Sequence, residues 1–87
     1  MTNERIYVIS GTMMDGSEIV ATYTSDANMA QSEYLQLVAI DMKSVYISDA
    51  NTGEIYAYFN CSCNSWGVEI DRGVSREFTE ILAGLRV

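Results

Sequence analysis

Histidine and proline are absent from this 87-residue chain, and lysine and tryptophan occur once each. Without histidine, the chain lacks the commonest general base and metal ligand. The sequence also lacks a glycine-rich phosphate loop, a G-x-S-x-G element and any other recognisable nucleophile arrangement. These absences argue against catalysis, so we expect a protein with no enzyme activity and no cofactor.

Cysteine is scarce, and the two cysteines form a C-x-C pair at Cys61 and Cys63. A zinc site would need further cysteine or histidine ligands, and a small disulfide-stabilised domain would contain more cysteines. Both thiols fall on the face of a predicted strand that also carries Phe59. We therefore expect them to pack as small buried apolar groups, with a redox or metal-binding role as the alternative.

Long apolar runs are missing too. No stretch approaches the roughly 20 apolar residues of a membrane span. The N-terminal residues do not combine a basic segment with a following apolar one, as a secretion signal would, so we expect a cytoplasmic protein. The length and the apolar content of 48% predict one compact domain over residues 1–87.

Basic residues are also few compared with acidic ones. Five basic residues against 12 acidic ones give a net charge of −7. Direct binding to nucleic acid requires a basic patch, so we do not expect it. An acidic domain is instead attracted to basic surfaces of other proteins. The alternative is that the charge serves only to keep the protein soluble.

Alternation of apolar and polar residues predicts five strands. Residues 6–10 and 18–24 flank the turn dipeptide Asp15-Gly16 and should form an antiparallel hairpin. Three more strands should lie within residues 45–70, the first two of them joined by a turn at residues 51–53. The predicted inward-facing residues of the sheet are Ile6, Val8, Ile19, Ala21, Val45, Ile47, Ile55, Ala57, Phe59, Trp66, Val68 and Ile70.

Two segments have helical periodicity. Residues from about 26 to 42 should form a helix capped by Ser25, although a strand over residues 34–40 is the alternative. Its apolar stripe comprises Ala27, Ala30, Tyr34, Leu37 and Val38, and the stripe of a C-terminal helix comprises Val74, Phe78, Ile81, Leu82 and Leu85. The order ββαβββα predicts an α+β fold, with a mostly antiparallel sheet of about five strands and both helices on one face.

Asp49, Asn51 and Gly53 are spaced somewhat like the ligands of a calcium-binding loop. Such a loop needs glycine at its sixth position and glutamate at its twelfth. Here glycine is at the fifth position and Asn60 is at the twelfth, so we predict a hairpin turn and no metal site.

The outward face of the predicted sheet provides the candidate partner-binding site. The tyrosines assigned to this face are Tyr7, Tyr46, Tyr56 and Tyr58, and the acidic residues expected around it are Asp15, Glu18, Asp49, Glu54, Glu69 and Asp71. Tyrosine is enriched in protein interfaces because its ring is apolar and its hydroxyl is polar. We predict that this face binds the basic surface of another protein.

Small size, high acidity and the missing catalytic residues resemble the profile of phage-encoded inhibitors of host defence, such as anti-CRISPR and anti-restriction proteins, some of which mimic nucleic acid. The resemblance is one of composition and implies a nuclease or a CRISPR effector in the host cytoplasm as the target. The alternative is a homo-oligomeric structural or small-ligand-binding domain with the tyrosine face buried between subunits.

Overall fold

A computed structural model describes residues 5–40 and 42–84 of the chain. The elements are β1 (Tyr7–Met13), β2 (Glu18–Thr24), α1 (Ala27–Val38), β3 (Met42–Asp49), β4 (Ile55–Asn64), β5 (Gly67–Val74) and α2 (Arg76–Leu82). The predicted order ββαβββα and the α+β class are confirmed. The predicted helix, and not the alternative strand, forms over residues 27–38.

The five strands form one sheet in the order β2-β1-β3-β4-β5, and all neighbouring strands are antiparallel. Because β2 and β3 both pair with β1, they run parallel to each other and need a crossover connection, which α1 provides. Helix α1 packs on β1, β2 and β3, whereas α2 packs on β4 and on α1. Both helices therefore lie on the same face of the sheet, as predicted.

Helix α1 is capped by Asp26 and not by Ser25, so that prediction was one residue early. The Asp26 carboxylate accepts hydrogen bonds from the backbone N–H groups of Asn28 and Met29, at 2.9 and 3.3 Å. The helix ends at the Ala39 cap, before the predicted end at Met42. Met42 opens β3 and is buried in the core, which explains why an apolar residue continues the sequence pattern beyond the helix.

The predicted phase of β1 was wrong. Tyr7 and Ile9 face the helices and are buried, while Ile6 and Val8 are only half-buried. Alternation alone could not decide the phase, because both pairs are apolar. The pairing with β3 decides it, since Ile9 lies opposite Ile47 and the small Gly11 lies opposite Val45.

Two β-bulges move other residues away from their predicted faces. In the β3–β4 pair, Ser48 lies opposite Ile55 and Ile47 opposite Ala57, so Tyr56 is the extra residue. Its ring is therefore buried on the helix side, while Ile55, a predicted core residue, is exposed. A second irregularity lies in the β1–β2 pair, where Thr22 and Val20 are paired with β1 but Ala21 has no partner. Ala21 was predicted to face the core, and it is exposed.

The end of the β4–β5 hairpin is the largest departure from the predicted core. Val45, Ile47, Ala57 and Phe59 are buried as expected, but Trp66, Val68 and Ile70 are exposed. Strand β3 pairs with β4 only as far as Asn60, among the described residues. Residues 61–70, which we call the hairpin arm, continue beyond that point as a two-stranded ribbon.

Helix α2 begins after Ser75, whose hydroxyl accepts a hydrogen bond from the Phe78 backbone N–H at 3.1 Å. Phe78 is buried, and Leu82 packs against the core, as the predicted stripe requires. Val74 belongs to β5 and not to the helix, and it is exposed. Leu85, the last member of the stripe, lies outside the described residues.

Gly11 is required in the centre of the sheet by the close approach of β3. A Cβ atom at this position would overlap the Ser44 carbonyl oxygen and lie 3.0 Å from the Met42 Cε. The carbonyl belongs to the backbone and cannot move without disturbing the β1–β3 pairing.

We predict that Gly11→Ala lowers the free energy of unfolding by about 1–3 kcal/mol, measured by urea denaturation. Ser62→Ala, an exposed control, should stay within about 0.5 kcal/mol of wild type. Equal stability of the Gly11 variant and wild type would contradict the packing described.

Candidate functional site

Of the four tyrosines assigned to the open face of the sheet, only two lie there. Tyr7 and Tyr56 are each only 2% exposed and lie on the opposite, helix-covered side, because of the β1 phase and the β4 bulge. Tyr46 and Tyr58 remain on the open face, directly opposite each other on β3 and β4, and both are half-buried. The Tyr46 hydroxyl donates a hydrogen bond to Asn60 Oδ1 at 3.0 Å.

Tyr58 lies over the cross-strand glycine Gly73. A Cβ atom at Gly73 would be 2.8 Å from the Tyr58 Cε1 atom, so the ring occupies the space above the glycine. Both remaining tyrosines therefore cover polar or backbone groups of the sheet itself. Only a small part of these two rings is exposed, whereas Tyr23 and Val20 of β2 lie on the same face and are 66% and 59% exposed.

The six acidic residues do not form one ring around the open face. Glu18 begins edge strand β2 and Asp15 lies in the turn before it, whereas Glu69 and Asp71 lie on the other edge strand, β5. Four strand spacings, about 19 Å, separate the two edges. The remaining two, Asp49 and Glu54, flank the β3–β4 turn, at the end of the sheet opposite the hairpin arm.

Asp49 has a structural role and is nearly buried. Its Oδ1 accepts hydrogen bonds from the backbone N–H groups of Asn51 and Thr52, at 2.8 and 2.9 Å. Its Oδ2 accepts one from the Tyr56 hydroxyl at 3.0 Å. The bond from Thr52, with those from Asn51 and Tyr56, lowers the pKa of Asp49. Burial, followed by the bond to Asp49, raises the pKa of Tyr56 well above its usual range.

An aromatic cluster occupies the same end of the sheet. The rings of Tyr7 and Phe78 meet edge to face at 5.6 Å, and those of Tyr56 and Phe78 stack at 5.7 Å. Arg5 lies over the Tyr56 ring at 5.8 Å and forms a salt bridge of 3.3 Å with Glu77. These contacts hold α2 against β4, so the two tyrosines once assigned to partner binding serve the fold.

The hairpin arm carries an apolar face that, beyond Cys61, nothing in the described chain covers. Cys61 lies opposite Ile70 and Cys63 opposite Val68, so these four side chains share one face. That face continues the buried row formed by Ala57 and Phe59, but the helices end before it. Val68 is 64% exposed and Ile70 59%. Cys61 is half-buried and Cys63 is exposed, so the predicted burial is wrong for Cys63.

Trp66 stands at the tip of the arm, in the turn between β4 and β5. It is 93% exposed, although its backbone N–H is fixed by a 2.8 Å hydrogen bond to Asn64 Oδ1. Gly67, with φ of 128°, takes a backbone conformation that favours glycine and closes the turn. The arm therefore holds a large aromatic side chain in water on an ordered turn.

The other face of the arm is polar and acidic. Ser62 and Glu69 lie opposite each other on it, and Asp71 follows on the same side of β5. Both acids are exposed. The arm thus combines an apolar face with an acidic one.

Sequence reasoning assigned Trp66, Val68 and Ile70 to the core and so missed the arm. Two signals were available. Trp66 lies between Asn64 and Gly67, residues typical of a turn, so it was a poor candidate for a strand interior. The second signal was the length of the predicted helices. Their apolar stripes are too short to cover every residue of the β4–β5 hairpin.

Within residues 5–40 and 42–84, no three histidine, cysteine or acidic side chains are grouped so that they could hold a metal ion. Among the same residues, no helix has both the length and the apolar character needed to cross a membrane. The Asp49 turn forms the hairpin predicted from its spacing, with Gly53 at φ 77°.

Asp49 should make stability depend on pH. Its folded-state pKa is lowered, so its contribution is complete above the unfolded pKa of about 3.9 and is lost as the pH falls towards the folded value. We predict that Asp49→Asn lowers the free energy of unfolding by roughly 1–3 kcal/mol at pH 7, because the amide offers only one acceptor oxygen. The difference from wild type should shrink below about pH 4.

Urea denaturation at neutral and acidic pH measures both effects. Glu18→Gln is the control, since Glu18 is exposed at the start of β2, and it should remain within about 0.5 kcal/mol of wild type. A difference between Asp49→Asn and wild type that stays constant down to pH 3 would contradict the assigned role of the charged carboxylate.

Comparison with known proteins gives no match: no family model fits the chain, and neither a curated protein nor a solved structure shows significant similarity to it.

Proposed function

We propose that this protein is a non-enzymatic acidic interaction domain that binds and blocks a basic site on a nucleic-acid-binding protein. The single observation that carries the proposal is the hairpin arm, which leaves Trp66 in water on an ordered turn. Nuclease and CRISPR-effector surfaces belong to the basic class that such a domain would occupy, which makes an anti-CRISPR or anti-restriction type of inhibitor the best-supported class.

The exposed apolar residues support binding because leaving them in water forgoes stabilisation. Burying a valine, isoleucine or larger side chain contributes roughly 1.5–3 kcal/mol. Interfaces depend on a few such anchors, and tryptophan is among the commonest of them. Trp66, Val68 and Ile70 lie close together on one ribbon, so a partner could cover all three with one contact.

The charge indicates the kind of partner. A net charge of −7 produces a field that accelerates encounters with basic surfaces and opposes those with nucleic acid. Of the basic residues, Arg5 pairs with Glu77 and Arg76 approaches Glu80 at 3.9 Å. Glu69 and Asp71, in contrast, are exposed on the opposite face of the same ribbon, so a partner that contacts both faces combines charge attraction with apolar contact.

A homo-oligomer that covers the arm is the competing function. The same exposed apolar residues favour it, and the like charges of two acidic copies oppose it. The sequence predicted four tyrosines between the subunits of such an oligomer. Two of them, Tyr7 and Tyr56, are buried inside the fold and could not contact a second subunit.

Capture experiments with an arm variant test the proposed function. Tagged wild type should retain an identified basic nucleic-acid-binding protein from a bacterial lysate at low salt and release it at high salt. Trp66→Ser/Ile70→Ser should lose that protein, because both anchors are removed. The matched control Val20→Ser/Tyr23→Ser removes two exposed apolar side chains from the far edge strand and should retain it. Purified wild type should then prevent the captured protein from binding its nucleic acid.

Two results would contradict the proposal. One is retention of the same partner by the arm variant. The other is the absence of any basic partner together with a stable dimer in sedimentation that Trp66→Ser/Ile70→Ser dissociates, which would establish the homo-oligomer instead.

A further inference from the structure

Strand β5 is an uninterrupted sheet edge. Its eight residues, Gly67–Val74, pair with β4 in continuous register, without a bulge. Among the described strands β4 is its only neighbour, so the backbone groups along the other side of β5 are available to a further strand. Exposed edges of this kind pair readily with an added strand.

The opposite edge, β2, is less suited to such pairing. A register shift at Ala21 bends the strand and interrupts the row of backbone groups. Helix α1 also packs on β2, whereas the principal contact of β5 is with β4. The two edges of one sheet therefore differ, and β5 is the one that remains regular and accessible.

The side chains of β5 define what could pair with it. Val68, Ile70 and Val74 lie on one face, each more than half exposed, together with the exposed Arg72, and Glu69 and Asp71 lie on the other. Within residues 68–71, a strand placed beside β5 would meet apolar groups on one face and carboxylates on the other. Cross-strand neighbours of opposite charge stabilise a sheet, and neighbours of like charge destabilise it.

We propose that β5 binds an extended segment of a partner protein in which lysine or arginine alternates with apolar residues, as an added strand of the sheet. The apolar residues of that segment cover Val68 and Ile70, and its basic residues pair with Glu69 and Asp71. This inference rests on the proposed function and specifies it, because it states which segment of a basic partner is recognised and by which edge.

The same charges disfavour a second copy at this edge. If two β5 strands paired antiparallel about a two-fold axis, each face would meet itself. Pairing centred on Glu69, Ile70 or Asp71 would place acidic residues directly opposite one another in every case, because the two acids are two residues apart on one face. A basic segment removes this repulsion.

A synthetic peptide tests the inference directly. The probe is a capped peptide of about seven residues in which lysine alternates with valine, a typical strand length. In NMR titrations of the full chain, the amide shifts should change along β5 and not along β2. A second peptide of the same composition, with its lysines grouped in one block, should bind at least about tenfold more weakly, because it cannot place charge and apolar groups on separate faces.

Charge variants separate edge recognition from general attraction. Glu69→Lys/Asp71→Lys should weaken binding of the alternating peptide by about tenfold or more. Asp15→Lys/Glu18→Lys changes the net charge equally but lies at the other edge, so it should change the affinity by no more than about threefold. Both variants alter exposed positions, and their thermal unfolding confirms that they fold.

The outcomes distinguish this inference from the proposed function. If shifts map to β2 or the open face, or if both charge variants weaken binding alike, the edge inference is overturned, even when a basic protein is still captured through Trp66. Failure of the alternating peptide to bind at millimolar concentration also overturns it. If the peptide binds β5 but no basic protein is captured, the inference holds and the proposed function fails.

Discussion

The helices are shorter than the longest strands, and this mismatch in length determines which part of the sheet is covered and which is left exposed. Helices α1 and α2 have twelve and seven residues, which correspond to about 18 and 10 Å. Strand β4 alone has ten residues and extends about 33 Å. A helix layer of this size covers β1, β3 and one end of β4, and it leaves the far end of the β4–β5 hairpin bare. The exposed Trp66 and the free edge of β5 both follow from that mismatch.

The short helix α2 needs support because seven residues do not form a stable helix on their own. Its support comes from Phe78, which packs against the rings of Tyr7 and Tyr56, and from the Ser75 cap. Tyr56 in turn donates a hydrogen bond from its hydroxyl to Asp49, which orders the β3–β4 turn. One end of the sheet is thus fixed by aromatic packing and hydrogen bonds, whereas the other end projects without cover. The two ends therefore differ: aromatic side chains are packed together at one, and apolar side chains are left in water at the other.

Much of the fold could be predicted from the sequence because local patterns carry it. Alternation gave the bounds of β2 and the inward positions of Val45 and Ile47, and helical spacing gave the stripe around Tyr34. Bulges could not be predicted this way, since one extra residue puts the positions on its two sides out of phase, as Tyr56 does for Ile55. The β1 phase was equally undetermined, because Ile6 and Val8 are as apolar as Tyr7 and Ile9. Whether a side chain on the correct face is actually covered depends on neighbouring elements, and the exposure of Val68 and Ile70 illustrates that limit.

The hairpin arm also has a consequence for local unfolding. A two-stranded ribbon without a packed face is marginally stable in water, so residues 61–70 should open far more often than the three central strands. Opening breaks the β4–β5 pairs of the arm and leaves the aromatic cluster around Phe78 intact. A ligand that orders the ribbon must offset this conformational entropy when it binds, and in return it rigidifies the arm. The affinity of the arm can therefore be tuned by residues that touch no partner, such as Gly67 in the turn, through the stability of the ribbon itself.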